Sequence, residues 1–246
     1  MNNYRTPRGF TLIELSIVLV IIGLIVGSIF VGSSLIRQAQ LHSVISNISQ
    51  YRVAFLAFRD KFTYWPGDLP NAQSYWPAPI CIDDPIDTSN TCNGNGNEVL
   101  DGVYSDECLR SLQHLSLAKM VKETHSGIVV SPSVPHKAGY NTVKTDLPGT
   151  GLIIRDNQDG SPVYGRRGLY LQVASLLPTS SVYAGKALTP DEAWNIDQKL
   201  DDGKAMTGYL FSRTGNPPGS TNCLSGAEYN LAARTVECML NYWIYY

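Results

Sequence analysis

A single carboxylate, Glu14, stands at the head of a run of 22 uncharged, largely apolar residues from Leu15 to Ile36. An acidic side chain at the end of a membrane-length apolar run is costly unless something neutralises it, so by default it is a functional feature. A second group with chemical potential is Asn93-Gly94-Asn95-Gly96-Asn97-Glu98, followed by Asp101, Asp106 and Glu107. Oxygen-bearing side chains alternating with glycine can wrap a hard cation such as calcium, which takes 6–8 oxygen ligands. Asn93, Asn95, Asn97, Glu98 and Asp101 are the candidate ligands. An EF-hand register starting at Asn93 fails, because it puts Glu98 where glycine is required and Tyr104 where the bidentate acid belongs. A plain series of Asn-Gly turns remains the alternative reading.

Catalytic constellations are scarce. His42, His114, His125 and His136 show no metalloprotease spacing, and neither a nucleophile elbow nor a phosphate loop occurs. His114, between Leu112 and Leu115, reads as an interface histidine and not a base. Asp83-Asp84 and Asp201-Asp202 read as turn and helix-end residues. The expectation is a non-enzymatic chain. A net charge of −2 and the lack of a basic run interleaved with aromatics give no argument for nucleic acid.

The elements that position these residues begin with the apolar run. At about 1.5 Å per residue it is roughly 33 Å long, enough for a bilayer core of about 30 Å. It exceeds a signal-peptide core and has no small-residue exit after Ile36. Arg5 and Arg8 precede it, which places the N-terminus in the cytoplasm by the positive-inside rule and the bulk of the chain outside. Beyond Arg37, apolar residues at Leu41, Val44, Ile45, Ile48, Tyr51, Phe55, Phe58 and Phe62 keep a 3-or-4 spacing, the stripe of an amphipathic helix. One rod is therefore expected from near Phe10 to near Lys61, ended by Trp65-Pro66-Gly67-Asp68. Gly23 and Gly27 are spaced for close approach of neighbouring rods, or reflect the frequency of glycine in membrane helices.

About 180 residues follow, enough for one domain. The segment from Thr63 to Asp101 reads as a long structured loop. Ser105 to Lys122 reads as a helix capped by Ser105 and ended by Gly127, with Leu109, Leu112, Leu115 and Met120 as its stripe. Strands are expected at Ile128 to Val130, Leu152 to Ile154, Leu169 to Val173 and Tyr209 to Phe211. Thr189-Pro190-Asp191-Glu192 is a capping box with proline in the first turn, opening a helix that runs towards Leu200. The class is α+β: a long N-terminal helix on an antiparallel sheet, with extra helices and loops.

Gly9-Phe10-Thr11-Leu12-Ile13-Glu14 resembles the prepilin peptidase site of type IV pilins and type II secretion pseudopilins. Tyr64 to Ala72 and Leu188 to Gly203 are similar to blocks in pseudopilin-like proteins. The resemblance implies a pilin-like fold and three segments: a leader over residues 1–9, a transmembrane and amphipathic helix over 10–62, and a periplasmic head over 63–246. It implies cleavage between Gly9 and Phe10 by prepilin peptidase and N-methylation of Phe10. It also implies pairing of Glu14 with the Phe10 ammonium of a neighbouring subunit. The implied partners are other pilin-like subunits, an inner-membrane secretion platform and the lipid bilayer, and the implied location is the bacterial inner membrane. A pseudopilin of a type II secretion system, a minor type IV pilin for adhesion, motility or DNA uptake, and a membrane-anchored binding module or enzyme are the competing roles. Major pseudopilins are generally smaller than this chain, which favours a minor or specialised subunit. All five cysteines follow the apolar run, as suits an exported domain. The disulfide candidates are Cys81 with Cys92, and Cys223 with Cys238, the latter flanking a turn as in a pilin-like C-terminal loop. Cys108 is left over as a small buried residue.

Overall fold

A 51-residue helix, α1 (Leu12–Phe62), opens the chain. The computed structural model describes residues 9–77, 92–101, 107–128, 136–157, 166–176, 183–215 and 222–245. The chain divides into two compact units, Met1–Gln40 and Leu41–Tyr246, and the division falls inside α1.

In the first unit the apolar side chains from Leu12 to Ile29 and from Val31 to Ile36 are exposed, and a side chain added at Gly23, Gly27 or Gly32 would meet nothing within 4 Å. Among the described residues α1 is the one helix long and apolar enough to cross a membrane.

In the second unit the rest of α1 supplies core. Val44, Ile48, Tyr51, Ala54, Phe55 and Phe58 are buried with the inward faces of a sheet, as their helical spacing requires. The helix ends earlier than the Trp-Pro-Gly cluster. Thr63 adopts φ +71° and its N–H bonds the Arg59 carbonyl at 2.8 Å. A β-branched residue in the left-handed region is unusual, and the helix end itself matches the expected 10–62 span. The loop that follows contains one helical turn, α2 (Ala72–Tyr75).

Helix α3 (Glu107–Leu117) is shorter than its apolar stripe promised. It closes with Lys119 N–H on the Ser116 carbonyl and Met120 N–H on the Leu115 carbonyl, each at 3.0 Å, and with Lys119 at φ +56°. This is a Schellman cap built without the usual glycine, so Gly127 does not end the helix. Ser105 and Asp106 lie outside the described residues.

The strands are β1 (Val143–Lys144), β2 (Thr150–Asn157), β3 (Gly168–Leu176), β4 (Tyr183–Gly185), β5 (Leu210–Thr214), β6 (Leu224–Ser225), β7 (Glu228–Tyr229) and β8 (Cys238–Tyr245). The main sheet is antiparallel in the order β1-β2-β3-β8-β5, with β4 beside the end of β3. The last strand thus sits inside the sheet, between β3 and β5. Three expected strands fall within β2, β3 and at β5. The expected strand from Ile128 lies from residue 129 onward outside the described residues. β8 was not anticipated from the sequence.

The sheet is buried on both faces. Leu152, Ile154, Leu169, Leu171, Val173, Leu240, Tyr242 and Ile244 join the α1 core. The alternate residues form an aromatic cluster of Tyr170, Phe211 and Trp243 and an aliphatic one of Ile153, Ala174 and Met239. Strands covered on both sides lose the clean apolar–polar alternation. Two arginines seven residues apart on α1 hold the sheet from the other direction. Arg52 lies over the rings of Tyr209 and Tyr242 at 5.7 and 5.8 Å, and Arg59 over Trp65 and Tyr245 at 4.3 and 4.9 Å. Helix α4 (Pro190–Leu200) carries the expected capping box: Glu192 N–H bonds the Thr189 hydroxyl at 3.3 Å, and Thr189 N–H bonds the Glu192 carboxylate at 2.9 Å.

Candidate functional site

The candidate ion loop is closed on protein carboxylates. Asp68, fully buried, accepts from the backbone N–H of Gly96 (2.6 Å) and Asn97 (3.1 Å) through one oxygen and from Glu98 (2.9 Å) through the other. Glu107 at the start of α3 accepts from Asn95 and Asp101 N–H, each at 2.9 Å, and Asp156 on β2 accepts from Leu100 N–H at 3.0 Å. The side-chain oxygens proposed as ligands already have partners. Asn93 Oδ1 takes Gln73 N–H, Asn95 Oδ1 takes Asn97 N–H, and Asn97 Oδ1 takes Val99 N–H. Asp101 Oδ2 accepts from the amides of both Asn95 and Asn97. Glu98 is exposed, with φ +68°. The loop thus turns N–H groups inward onto Asp68 and Glu107, whereas a calcium site turns oxygens inward. The residues present do not fit a calcium cage in this arrangement, and the series is a run of Asn turns wrapped around buried carboxylates. Burial pushes the Glu107 carboxyl up to about 7, against the pull of its two N–H donors, with Asp68 and Asp101 adding repulsion.

At the other end of the chain, Thr11 caps α1. Thr11 N–H and the Thr11 hydroxyl both donate to Glu14 Oε2 at 2.8 Å, and Glu14 N–H donates to the Thr11 hydroxyl at 3.3 Å. Thr11 and Glu14 form a reciprocal capping box that fills orphan donors at the helix start, and a carboxylate there also suits the helix dipole. Glu14 therefore has a partner within its own chain. Its sequence signal is Thr-x-x-Glu before an apolar run. Phe10 is 90 % exposed immediately before this cap. Residues 4–30 match the prokaryotic N-terminal methylation motif. The chain carries the N-terminal signature of type IV pilins and pseudopilins. No curated protein and no solved structure matches it.

Gly9 and Phe10 lie within the matched segment. The motif implies processing by prepilin peptidase and assembly with other pilin-like subunits. Together with one apolar N-terminal helix, it makes this a membrane-anchored, single-pass protein. Cleavage after Gly9 would leave Thr11 and Glu14 as the second and fifth residues, so the capping box survives maturation.

The second unit is stapled near its end. Cys223 and Cys238 form a disulfide across 15 residues, tying the turn before β6 to the start of β8. Cys92 is disulfide-bonded, whereas Cys81, its expected partner, lies outside the described residues. Cys108 is a free, buried thiol.

His114 is buried among Phe58, Trp76 and the loop backbone. Its Nδ1 accepts Gly67 N–H at 2.8 Å, so Nε2 carries the proton and donates to the Cys92 carbonyl at 2.9 Å. Both nitrogens are occupied, and burial lowers its pKa to about 4. The ring is a neutral connector between α3, the Trp65 to Asp68 turn and the disulfide-bearing loop. Gly67 is required there, since a Cβ would lie 2.2 Å from the Glu107 carbonyl oxygen. Asp201 and Asp202 do end α4, as expected. Asp201 Oδ2 accepts Leu210 N–H at 2.9 Å, and Asp202 Oδ1 accepts Lys204 N–H at 2.9 Å. With Asp197 their oxygens converge within 4.8 Å, and each of the three is hydrogen-bonded to loop N–H groups.

Proposed function

We propose that this chain is a non-enzymatic filament subunit, a pseudopilin-like component of a type II secretion system inserted in the inner membrane with its head in the periplasm. The observation that carries the proposal is the methylation motif joined to a helix of membrane length whose apolar side chains are exposed among the described residues. Such a surface is stable in lipid, and against like helices once drawn into a filament. Glu14 then has two roles. In the free subunit it caps its own helix; in the filament it meets the methylated ammonium of a neighbour, where loss of one partner leaves a buried charge. The size of the head favours a minor or specialised subunit. A minor type IV pilin shares every one of these features and is the sister reading.

The test is genetic and biochemical. Deleting the gene should stop export of folded proteins across the outer membrane and leave surface pili in place. Loss of pili with intact export would assign the subunit to a pilus. If both processes persist and the head cross-links to no pilin-like protein, the assembly role is wrong and an anchored binding module or enzyme takes its place.

A further inference from the structure

The end of α3 and the segment after it form a cleft of about 640 Å³ lined mainly by apolar surface, with Trp76, Leu117 and Tyr140 among its walls. Two of its lining residues stand out. The first is Lys119, which lines the cleft while holding φ +56° at the cap, a position where any side chain but glycine carries a strain of about 1–2 kcal/mol. Strain retained at a cleft points towards use. The second is His125, 3 % exposed and also lining the cleft. Its Nε2 is 2.8 Å from the Tyr51 hydroxyl, whose other acceptor, Glu123, is farther at 3.5 Å. The phenol therefore donates to Nε2, and the proton of the neutral ring sits on Nδ1. Burial holds the ring in that neutral state, with a pKa lowered to about 4. Nδ1 is buried without a partner, and an unmade hydrogen bond of this kind is costly. The cleft is thus lined by a lysine and by a buried histidine whose Nδ1 has no partner, against aromatic walls, a set that calls for an acceptor with negative charge on an apolar body. The Glu123 carboxylate, which acts on the His125 ring, is 3.5 Å from the Tyr51 hydroxyl and is not among the residues lining the cleft.

We propose that this cleft binds a carboxylate borne on a compact apolar or aromatic body, with Lys119 and His125 taking the carboxylate and Trp76 and Tyr140 flanking the body. A free aromatic acid and the C-terminal residue of a peptide present the same chemistry. The site is independent of the assembly role, since it lies wholly within the head.

The full-length protein in lipid nanodiscs, observed by ligand-detected NMR, tests this with phenylacetate, with N-acetyl-glycyl-phenylalanine and with the amide of each. Saturable binding of the acids is expected, weakened about tenfold or more in the amides, as for loss of a charge-assisted hydrogen bond. A tighter fit for the peptide assigns the site to chain termini, and equal or weaker binding assigns it to free acids. Lys119→Met should weaken the acids by a similar factor and leave the amides unchanged. Ser126→Trp, which fills the cleft from its wall, should abolish both. If His125→Gln disturbs folding, Lys119→Met with a native melting curve still decides the matter. Equal binding of acid and amide, indifference to Lys119→Met, or no saturation at about 10 mM overturns the proposal.

Discussion

Glu14 Oε2 lies 2.8 Å from both the backbone nitrogen and the hydroxyl of Thr11, so the carboxylate at the head of the apolar run closes a capping box in its own chain. Assembly and helix capping therefore draw on the same side chain, and substitutions separate them. Glu14→Gln keeps an oxygen to accept Thr11 N–H but removes the charge; Glu14→Ala removes both. Both variants should be membrane-inserted and processed, and both should fail to cross-link to neighbouring subunits. Thr11→Ala, which costs about 1 kcal/mol of cap and leaves the charge, should still assemble. Recovery of assembly in Glu14→Gln would show that the cap, and not the charge, is what the filament needs.

Maturation should remove residues 1–9 and add one methyl group to the amine of Phe10. Intact-mass spectrometry of protein extracted from cells with active prepilin peptidase reads both changes at once. An unprocessed Met1, or a cut beyond Ile36, would contradict the reading of the motif.

Acid should loosen the head through its buried histidines. His114 has a folded pKa of about 4 against an ordinary value of 6.5. Its contribution is therefore present above about 6.5 and is lost as pH falls towards 4, roughly 3 kcal/mol in all. His114→Gln should flatten this part of the stability curve at the expense of stability at neutral pH. An unchanged slope between pH 6.5 and 4 would mean that the ring is not buried in solution.

Glu107 works in the opposite direction. Its folded pKa, raised to about 7, lies above the ordinary value of 4.5, so its contribution is present below 4.5 and fades as pH rises through 7. Glu107→Gln should remove that alkaline decline. In the same melts, calcium followed by excess chelator should leave the wild-type melting temperature unmoved, because the loop oxygens already have N–H partners. A calcium-dependent rise, abolished by Asn95→Ala with Glu98→Ala, would restore the ion to the loop.

Truncation should respect the packing and not the end of the helix. A fragment beginning at Leu41 should fold, since the compact unit starts there. One beginning at Thr63 loses Val44, Ile48, Tyr51, Ala54, Phe55 and Phe58 from the core. At about 2 kcal/mol for each large side chain, that loss of about 10 kcal/mol matches the whole stability of a typical domain. Cooperative melting of both fragments, followed by circular dichroism, would show that α1 is dispensable to the head.

The sequence by itself determined the anchor, the processing motif, the long helix and the capping box of α4. All of these are local: each rests on residues within one or two turns of one another, where composition and spacing act directly. It also assigned His114 to an interface and Cys223 with Cys238 to a disulfide. Tertiary structure decided what depends on distant segments. β8 takes a place between β3 and β5, and its both-sided burial erased the alternation that would have announced it. Helix α3 stops at Leu117, closed by a left-handed Lys119 where no glycine announced the end. The Asn-Gly loop reads as a cation cage while its neighbours in sequence are considered. It became a carboxylate-centred turn because Asp68 and Asp156, 25 or more residues away, reach its N–H groups, and no local pattern encodes which way those groups will face.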